Sequence, residues 1–207
     1  MKKTFDLKLY FVTDDSAKNR HGLLETVEAA VAGGATIVQY RSENPDAGTC
    51  YADAKPLAEF LRARHVPFIV NNRADLALAL DADGVHVGQR DLPAAAVRAI
   101  IGTKKILGLS VSNRAELDAA DFEIVDYLGI GPVFPTATKP DAAPAVGTEN
   151  FAELARRSPV PVVAIGGLNL ARARALRAVS PNAGIAVVSA ICSAENPEAA
   201  ARELAEI

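Results

Sequence analysis

The sequence predicts a (β/α)8 barrel, a single domain over residues 1–207 in which parallel strands alternate with helices. Eight short β-branched runs alternate along the chain with segments rich in Ala, Leu and Glu. The runs are continuously apolar, as parallel strands covered on both faces are. The chain length of 207 residues lies close to the lower limit of about 200 residues for such barrels.

The predicted strands follow one another at similar spacing. They are Leu9–Asp14, Thr36–Arg41, Phe68–Asn72, Gly84–Gln89, Ile106–Ser110, Tyr127–Phe134, Val162–Gly167 and Gly184–Ala190. The predicted amphipathic helices between them include Leu23–Ala32, Ala52–Arg64 and Phe151–Arg157. An open doubly wound sheet is the competing arrangement, but eight similar units in so short a chain favour closure into a barrel.

Composition and charge narrow the function classes. The net charge of −3 gives no basic surface for a nucleic acid, so we predict no nucleic-acid partner. Asp6 and Lys8 interrupt the apolar start of the chain, and no later run has the length of a membrane span, which predicts a cytoplasmic protein without a membrane partner. Cys50 and Cys192 stand far apart and indicate neither a disulfide framework nor a zinc site.

Polar residues stand where the predicted strands end. In (β/α)8 barrels, ligands bind at the carboxyl ends of the strands, so these residues mark a candidate site. The set comprises Thr13, Asp14, Gln39, Arg41, Asn71, Asn72, Gln89, Asp91, Ser110, Thr136, Thr138, Lys139, Gly166, Gly167 and Ser189. The site is predicted to take small phosphorylated molecules.

Two glycine- and serine-containing stretches predict where phosphate binds. AIGGL ends the seventh predicted strand with Gly166 and Gly167, and VVSAI ends the eighth with Val188 and Ser189. Glycine lets the backbone approach a ligand, and the amides at a following helix start attract an anion. The alternative is that the glycine pair only forms a tight turn.

The connection after the sixth predicted strand, PTATKPDA, combines Thr136, Thr138 and Lys139. A long loop of this kind can close over a ligand, where a Lys meets a developing negative charge. Asp91 and Asn72, at the ends of neighbouring strands, supply oxygen ligands for a Mg²⁺ shared with substrate phosphates. An ordinary solvated loop and a helix N-cap at Asp91 are the competing interpretations.

Nearly the whole chain resembles the thiamine phosphate synthase family. The resemblance is carried, in order, by LYFVTD, VQYR, VNNRADLALALDADGVHVGQRDLP, ILGLSVSN, DYLGIGPVFPTATKPDA, VVAIGGL and IAVVSAI. It implies a (β/α)8 fold and a Mg²⁺-dependent transferase. The implied reaction joins 4-amino-5-hydroxymethyl-2-methylpyrimidine diphosphate to a thiazole phosphate, releasing diphosphate and forming thiamine phosphate by a dissociative mechanism.

The resemblance also implies roles for individual residues. Arg41, Lys139 and Ser110 match positions beside the reacting groups, and Gln39 matches a pyrimidine contact. The remaining implied substrate contacts are Asn71, Asn72, Thr136, Thr138, Gly167, Val188 and Ser189, with Asp91 and Asn72 as the implied metal ligands. His86 also matches a family position, but we interpret it as a packing residue.

Two residues depart from the pattern of this family. Glu43 stands where the family usually has Lys, and Asn72 stands where it usually has a metal-binding Asp. One hypothesis links them, with the Glu43 carboxylate replacing the missing acidic ligand. The alternative is that Glu43 points to solvent.

Two other functions remain open. One is an isomerase resembling the thiazole tautomerase of the same superfamily, which uses a His after the fifth strand where this chain has Ser110-Val111-Ser112. The other is a non-catalytic barrel that binds ligands of the thiamine pathway. Glu43 and Asn72 favour loss of turnover, whereas Lys139 and Asp91 argue against it.

Overall fold

The computed structural model describes residues 4–14, 20–136, 138 and 143–207. Its strands are β1 (Leu9–Val12), β2 (Ile37–Tyr40), β3 (Phe68–Asn71), β4 (Gly84–Val87), β5 (Ile106–Val111), β6 (Tyr127–Ile130), β7 (Val162–Ala164) and β8 (Gly184–Val187). Each strand pairs in parallel with the next, and β8 pairs with β1, so the sheet is a closed barrel. The predicted (β/α)8 fold is confirmed.

Helices follow the strands in the order that the sequence predicts. Within the described residues they are α1 (Leu23–Ala32), α2 (Ala47–Ala63), α3 (Ala74–Ala79), α4 (Ala94–Ile101), α5 (Arg114–Asp118), α6 (Gly147–Arg157), α7 (Leu170–Val179), α8 (Ser189–Cys192) and α9 (Pro197–Ala205). No helix in the described part of the chain combines the length and hydropathy needed to cross a membrane.

Several elements begin or end elsewhere than predicted. α2 begins earlier than the predicted Ala52, because the Asp46 side chain accepts a hydrogen bond from the Thr49 amide at 2.6 Å and caps the helix. β6 ends at Ile130 rather than Phe134, since the residues after it hydrogen-bond to the turn that follows β7. β8 ends at Val187 rather than Ala190, because the chain enters α8 there.

Inward- and outward-facing residues of the strands build two separate cores. The outer core packs the strands against the helices and contains most of the buried Leu, Val and Ala. The inner core fills the barrel and consists of Leu7, Tyr10, Val12, Ile37, Ile69, Ile106, Tyr127, Val163 and Ala186. Because side chains alternate along a strand, the last inward-facing residues of the strands lie nearest the carboxyl-terminal opening of the barrel, called the mouth below.

A largely buried ion pair lies near the amino-terminal ends of β5 and β6. The Arg98 guanidinium lies 2.8 Å from Oδ2 of Asp126 and donates to the Ile124 carbonyl and to two other main-chain carbonyls. The same Asp126 oxygen accepts from the Leu107 amide at 2.8 Å. These groups join α4 to the starts of β5 and β6, at the end of the strands opposite the mouth. Their role is therefore structural.

Candidate active site at the carboxyl ends of the strands

Gln39 lies on the inward-facing row of β2 that begins with Ile37, and Arg41 directly follows the strand with the same parity. The Gln39 side chain is buried inside the barrel, and Arg41 follows it at the mouth. The end of β1 holds this segment in place, because the Arg41 amide donates to Oγ1 of Thr13 at 3.0 Å and the Thr13 amide donates to the Gln39 carbonyl at 2.9 Å. These hydrogen bonds therefore fix the main-chain positions of Gln39 and Arg41.

Glu43 forms an ion pair with Arg41. A carboxylate oxygen of Glu43 accepts a hydrogen bond from Nη2 of Arg41. The Arg41 side chain is 10% exposed and that of Glu43 is 69% exposed, so the guanidinium is set into the mouth and the carboxylate sits at its rim. The Glu43 side chain is largely exposed to solvent, as the alternative interpretation held, but its carboxylate also pairs with Arg41, and its suggested metal role stays a prediction.

Asn71 and Asn72 end β3 and begin the turn after it. Asn72 has a φ of 60°, in the left-handed region that Asn and Asp tolerate better than other non-glycine residues. The turn is tight, because the Arg73 amide donates to the Asn71 carbonyl at 2.7 Å. The Asn72 amide donates to the His86 carbonyl at 2.8 Å, which ties this turn to β4. Backbone conformation thus limits position 72 to a few residue types, among which an Asp-to-Asn exchange is mild.

Asp91 lies in the turn after β4. Its Oδ2 accepts a hydrogen bond from the Gly88 amide at 2.7 Å. The interpretation of Asp91 as a helix N-cap is not supported, since α4 begins after Pro93. A Cβ added at Gly88 would lie 3.1 Å from Oδ2 of Asp91 and 4.0 Å from Cβ of Ser110, so the glycine keeps space open between these two residues.

The surroundings of Asp91 fit a Mg²⁺ that the protein shares with a substrate. Among the described residues, no three His, Cys, Asp or Glu side chains group together as a complete metal site. Mg²⁺ commonly takes one or two protein carboxylates and completes its shell with water and substrate phosphates. Asp91 offers one carboxylate in the turn after β4, and Asn72 is positioned by its turn on the neighbouring strand. The metal itself stays a prediction.

The loop after β6 is anchored to the turn after β7. Gly167 has a φ of 62°, and a Cβ there would lie 2.5 Å from the Pro135 carbonyl oxygen. The Phe134 amide also donates to the Gly166 carbonyl at 3.1 Å. The glycine pair therefore forms a tight turn, as one interpretation of the sequence held, and its contact with phosphate stays a prediction.

Two of the three candidate residues in this loop lie in the described part of the chain. The Thr138 amide donates to Oγ1 of Thr136 at 3.2 Å, which gives the loop a local turn. Lys139 lies outside the described residues. The expected closing contacts of these residues with a ligand stay predictions.

Val188 and Ser189 stand at the start of α8 rather than at the end of a strand. The amides of Ile191 and Cys192 donate to the Val188 carbonyl at 3.1 Å and 3.0 Å. Ser189 thus occupies the first turn of this short helix, which β8 delivers next to β7. Val188 and Ser189 thus follow the end of β8, as Gly166 and Gly167 follow the end of its neighbour β7, and their contact with a phosphate stays a prediction.

A chain of buried hydrogen bonds crosses the barrel below the mouth and joins Gln39 to Ser110. Gln39 Nε2 donates to the Tyr10 hydroxyl at 2.8 Å, and the hydroxyls of Tyr10 and Tyr127 lie 2.8 Å apart. The Tyr127 hydroxyl is 2.9 Å from Nδ1 of His86, whose Nε2 is 2.8 Å from Oγ of Ser110. Burial raises the pKa of both tyrosines well above the usual value, so the phenols stay neutral.

Sequence reasoning missed most of this chain of hydrogen bonds. Tyr10 and Tyr127 received no role, and His86 was interpreted as packing. The available signal was strand parity: both tyrosines fall on inward rows otherwise made of aliphatic residues, and a buried phenol needs a polar partner. Gly108 provides the space, because a Cβ there would overlap both the Tyr127 ring and the His86 ring.

A (β/α)8 barrel with polar groups collected at the carboxyl ends of its strands is typical of barrel enzymes. A family model described as "Thiamine monophosphate synthase" matches residues 9–191. The chain belongs to this family, which is a family of transferases.

Individual relatives match over almost their whole length. The chain is 47% identical to "Thiamine-phosphate synthase" of Azorhizobium caulinodans over 207 residues, which is 100% of this chain and 97% of the relative. It is 48% identical to the protein of the same name from Xanthobacter autotrophicus over 205 residues, covering 99% and 96% of the two chains. The solved structure of "Thiamine phosphate pyrophosphorylase from Pyrococcus furiosus" superposes with a TM-score of 0.85 at 37% identity, covering 97% and 94%.

Proposed function

We propose that the chain joins 4-amino-5-hydroxymethyl-2-methylpyrimidine diphosphate to a thiazole phosphate, giving thiamine phosphate and diphosphate. The observation that carries the proposal is the full-length similarity to relatives named as thiamine-phosphate synthases. The mouth supports it, because Gln39 and Arg41 have the same parity at the end of β2 and Asp91 and Ser110 both lie near Gly88.

The proposed mechanism needs no protein nucleophile. The bond between the pyrimidine methylene carbon and the diphosphate oxygen breaks first, and its electron pair leaves with the diphosphate. The electron-rich aminopyrimidine stabilises the resulting cation, and the thiazole nitrogen then donates its lone pair to form the new C–N bond. The work of the protein is to hold the leaving diphosphate, align the acceptor and exclude water.

Arg41 and Lys139 are the proposed cations for the leaving diphosphate. Arg41 is well placed for this, because its guanidinium is largely buried and its amide is fixed by Thr13. Donors that are already oriented stabilise developing charge without reorganising. A bound Mg²⁺ would neutralise further phosphate charge, and Asp91 and Asn72 are the residues proposed to hold it.

The remaining candidates divide between the two substrates. Gln39 and Ser110 are proposed to contact the pyrimidine at the bottom of the mouth, with Asn71 beside them. Gly167, Val188 and Ser189 are proposed to hold the phosphate of the thiazole, and Thr136 and Thr138 to cover the substrates. The partners of the chain are then small molecules.

A direct assay tests the proposal. The purified protein is incubated with both substrates and Mg²⁺, and thiamine phosphate is measured by thiochrome fluorescence, with each substrate omitted in turn as a control. We expect product only in the complete mixture. Conversion of the thiazole phosphate alone would indicate an isomerase, and binding without any conversion would indicate a ligand-binding protein.

A further inference from the structure

We propose that the buried hydrogen bonds form a relay in which every donor points in the same direction along the chain Gln39, Tyr10, Tyr127, His86 and Ser110. The orientation of the Gln39 amide at one side of the mouth then decides whether the Ser110 hydroxyl at the other side is a donor or an acceptor. Tyr10, Tyr127 and His86 are then positioning residues. The inference about specificity rests on the proposed function, because it takes Gln39 and Ser110 as the groups that face the pyrimidine.

The direction of the relay follows from the proton count at the two phenols. Gln39 Nε2 donates to the Tyr10 oxygen. The phenol of Tyr10 has one proton, and the neighbouring hydroxyl of Tyr127 at 2.8 Å is the partner to receive it. Because both phenols stay neutral, Tyr127 also has one proton, which points to Nδ1 of His86 at 2.9 Å.

The His86 imidazole continues the same donor direction from Tyr127 to Ser110. A His86 ring that accepts at Nδ1 carries its proton at Nε2 when neutral, and Nε2 then donates to Oγ of Ser110 at 2.8 Å. The proton of Ser110 itself is left to turn into the mouth. The relay therefore presents an acceptor at Gln39, its Oε1, and a donor at Ser110.

Burial makes the two ends depend on each other. Tyr10 is 1% exposed and Tyr127 is fully buried. If the Gln39 amide turned so that Oε1 faced Tyr10, every bond would have to reverse, or one buried polar group would lose its partner. The mouth thus offers a ligand one of two combinations. Either the Gln39 amide presents an acceptor and the Ser110 hydroxyl a donor, or the amide presents a donor and the hydroxyl an acceptor.

The inferred direction of the relay suits a particular class of ligand. An amino-substituted heteroaromatic ring carries both an N–H donor and ring-nitrogen acceptors, so it can meet an acceptor at Gln39 and a donor at Ser110. The analogue in which a carbonyl replaces the amine presents the opposite pattern. It would require the whole relay to reverse, so the buried residues contribute to discrimination without touching the ligand.

The protonation state of His86 tests the relay without substrate or turnover. In ¹⁵N-labelled protein, the two imidazole nitrogens of His86 are assigned by comparison with His86→Gln, since the chain has only 3 His. We expect a proton at Nε2 and none at Nδ1 in the unaltered protein. A proton at Nδ1 would overturn the proposed direction.

Gln39→Glu tests the coupling. A carboxylate cannot donate to Tyr10, so each bond reverses and Nδ1 of His86 gains a proton, whether or not Nε2 keeps its own. The spectrum is recorded at a pH where the ¹³C shift of the new carboxyl group shows it ionised. An Nδ1 that stays unprotonated would overturn the relay.

Tyr10→Phe separates the relay from a through-space effect of the new charge. In the double variant Tyr10→Phe/Gln39→Glu the charge remains but the path is cut, so Nδ1 is expected to stay unprotonated, as in Tyr10→Phe alone. A proton at Nδ1 in the double variant would mean that the charge acts through space, and the relay would be refuted. The result holds whatever the synthase assay gives, so the two proposals fail separately.

Discussion

Replacing Glu43 by Gln tests how the mouth receives a diphosphate. The Glu43 carboxylate pairs with the Arg41 guanidinium, which is the proposed diphosphate ligand. An incoming diphosphate meets that carboxylate as a like charge and competes with it for the same donors. Glu43→Gln keeps the size of the side chain and removes the charge, so we expect a lower apparent constant for the pyrimidine diphosphate.

The size of the effect follows from exposure. Glu43 is 69% exposed, and ion pairs with a solvent-exposed partner contribute about 0.2–1 kcal/mol. Since about 1.4 kcal/mol corresponds to a tenfold change in a constant, we expect the constant for the pyrimidine diphosphate to fall by about 1.4-fold to fivefold. The constant for the thiazole phosphate is expected to change less, because its proposed site lies at β7 and β8.

The assay is a substrate titration at several Mg²⁺ concentrations. Glu153→Gln is the matched control, since Glu153 is also exposed and paired with an Arg but lies on α6. Adding Glu43→Gln to Arg41→Ala is expected to have no further effect, because the competing donor is gone. A rise in the diphosphate constant together with a sharply higher Mg²⁺ requirement would refute this reasoning and place Glu43 on the metal instead.

Three further substitutions test separate parts of the account. Lys139→Ala should lower kcat on the order of a hundredfold without changing the melting temperature, because one proposed cation for the leaving diphosphate is lost; a parental kcat would remove Lys139 from the mechanism. Asp91→Asn keeps an acceptor for its backbone partner but loses the charge, so half-saturation should need about tenfold more Mg²⁺; an unchanged Mg²⁺ titration would contradict its metal role. Arg98→Ala should cost about 3–5 kcal/mol in the free energy of unfolding, because the Asp126 carboxylate is left buried without its charged partner. The exposed pair of Arg114 should cost less than about 1 kcal/mol when removed, and equal losses in denaturant titrations would refute the assignment.

The sequence was sufficient to predict the barrel and the edge where its polar residues meet. Continuous apolar runs reveal a parallel strand wherever both faces are covered, and all eight runs are strands in the structure. Strand ends were less predictable, because they depend on neighbouring loops. β6 stops at Ile130 since the following residues bond to the β7 turn, which no local pattern indicates.

Contacts between side chains from distant strands were beyond sequence reasoning. The pairing of Glu43 with Arg41 depends on which way a charged rotamer turns, and periodicity gives only the parity of the two positions. Tyr10 and Tyr127 are 117 residues apart in the chain, and their hydroxyls meet only because the barrel closes. A rule that asks every inward-facing tyrosine for its polar partner would have marked both positions before the fold was known.

The location of the diphosphate is the measurement that tests the central claim most directly. A crystal structure of the protein soaked with diphosphate and Mg²⁺ should show the diphosphate at the mouth, in contact with the Arg41 guanidinium, with Mg²⁺ between it and Asp91. Diphosphate bound elsewhere, for instance near the amino-terminal ends of the strands, would contradict the account even if the protein forms thiamine phosphate.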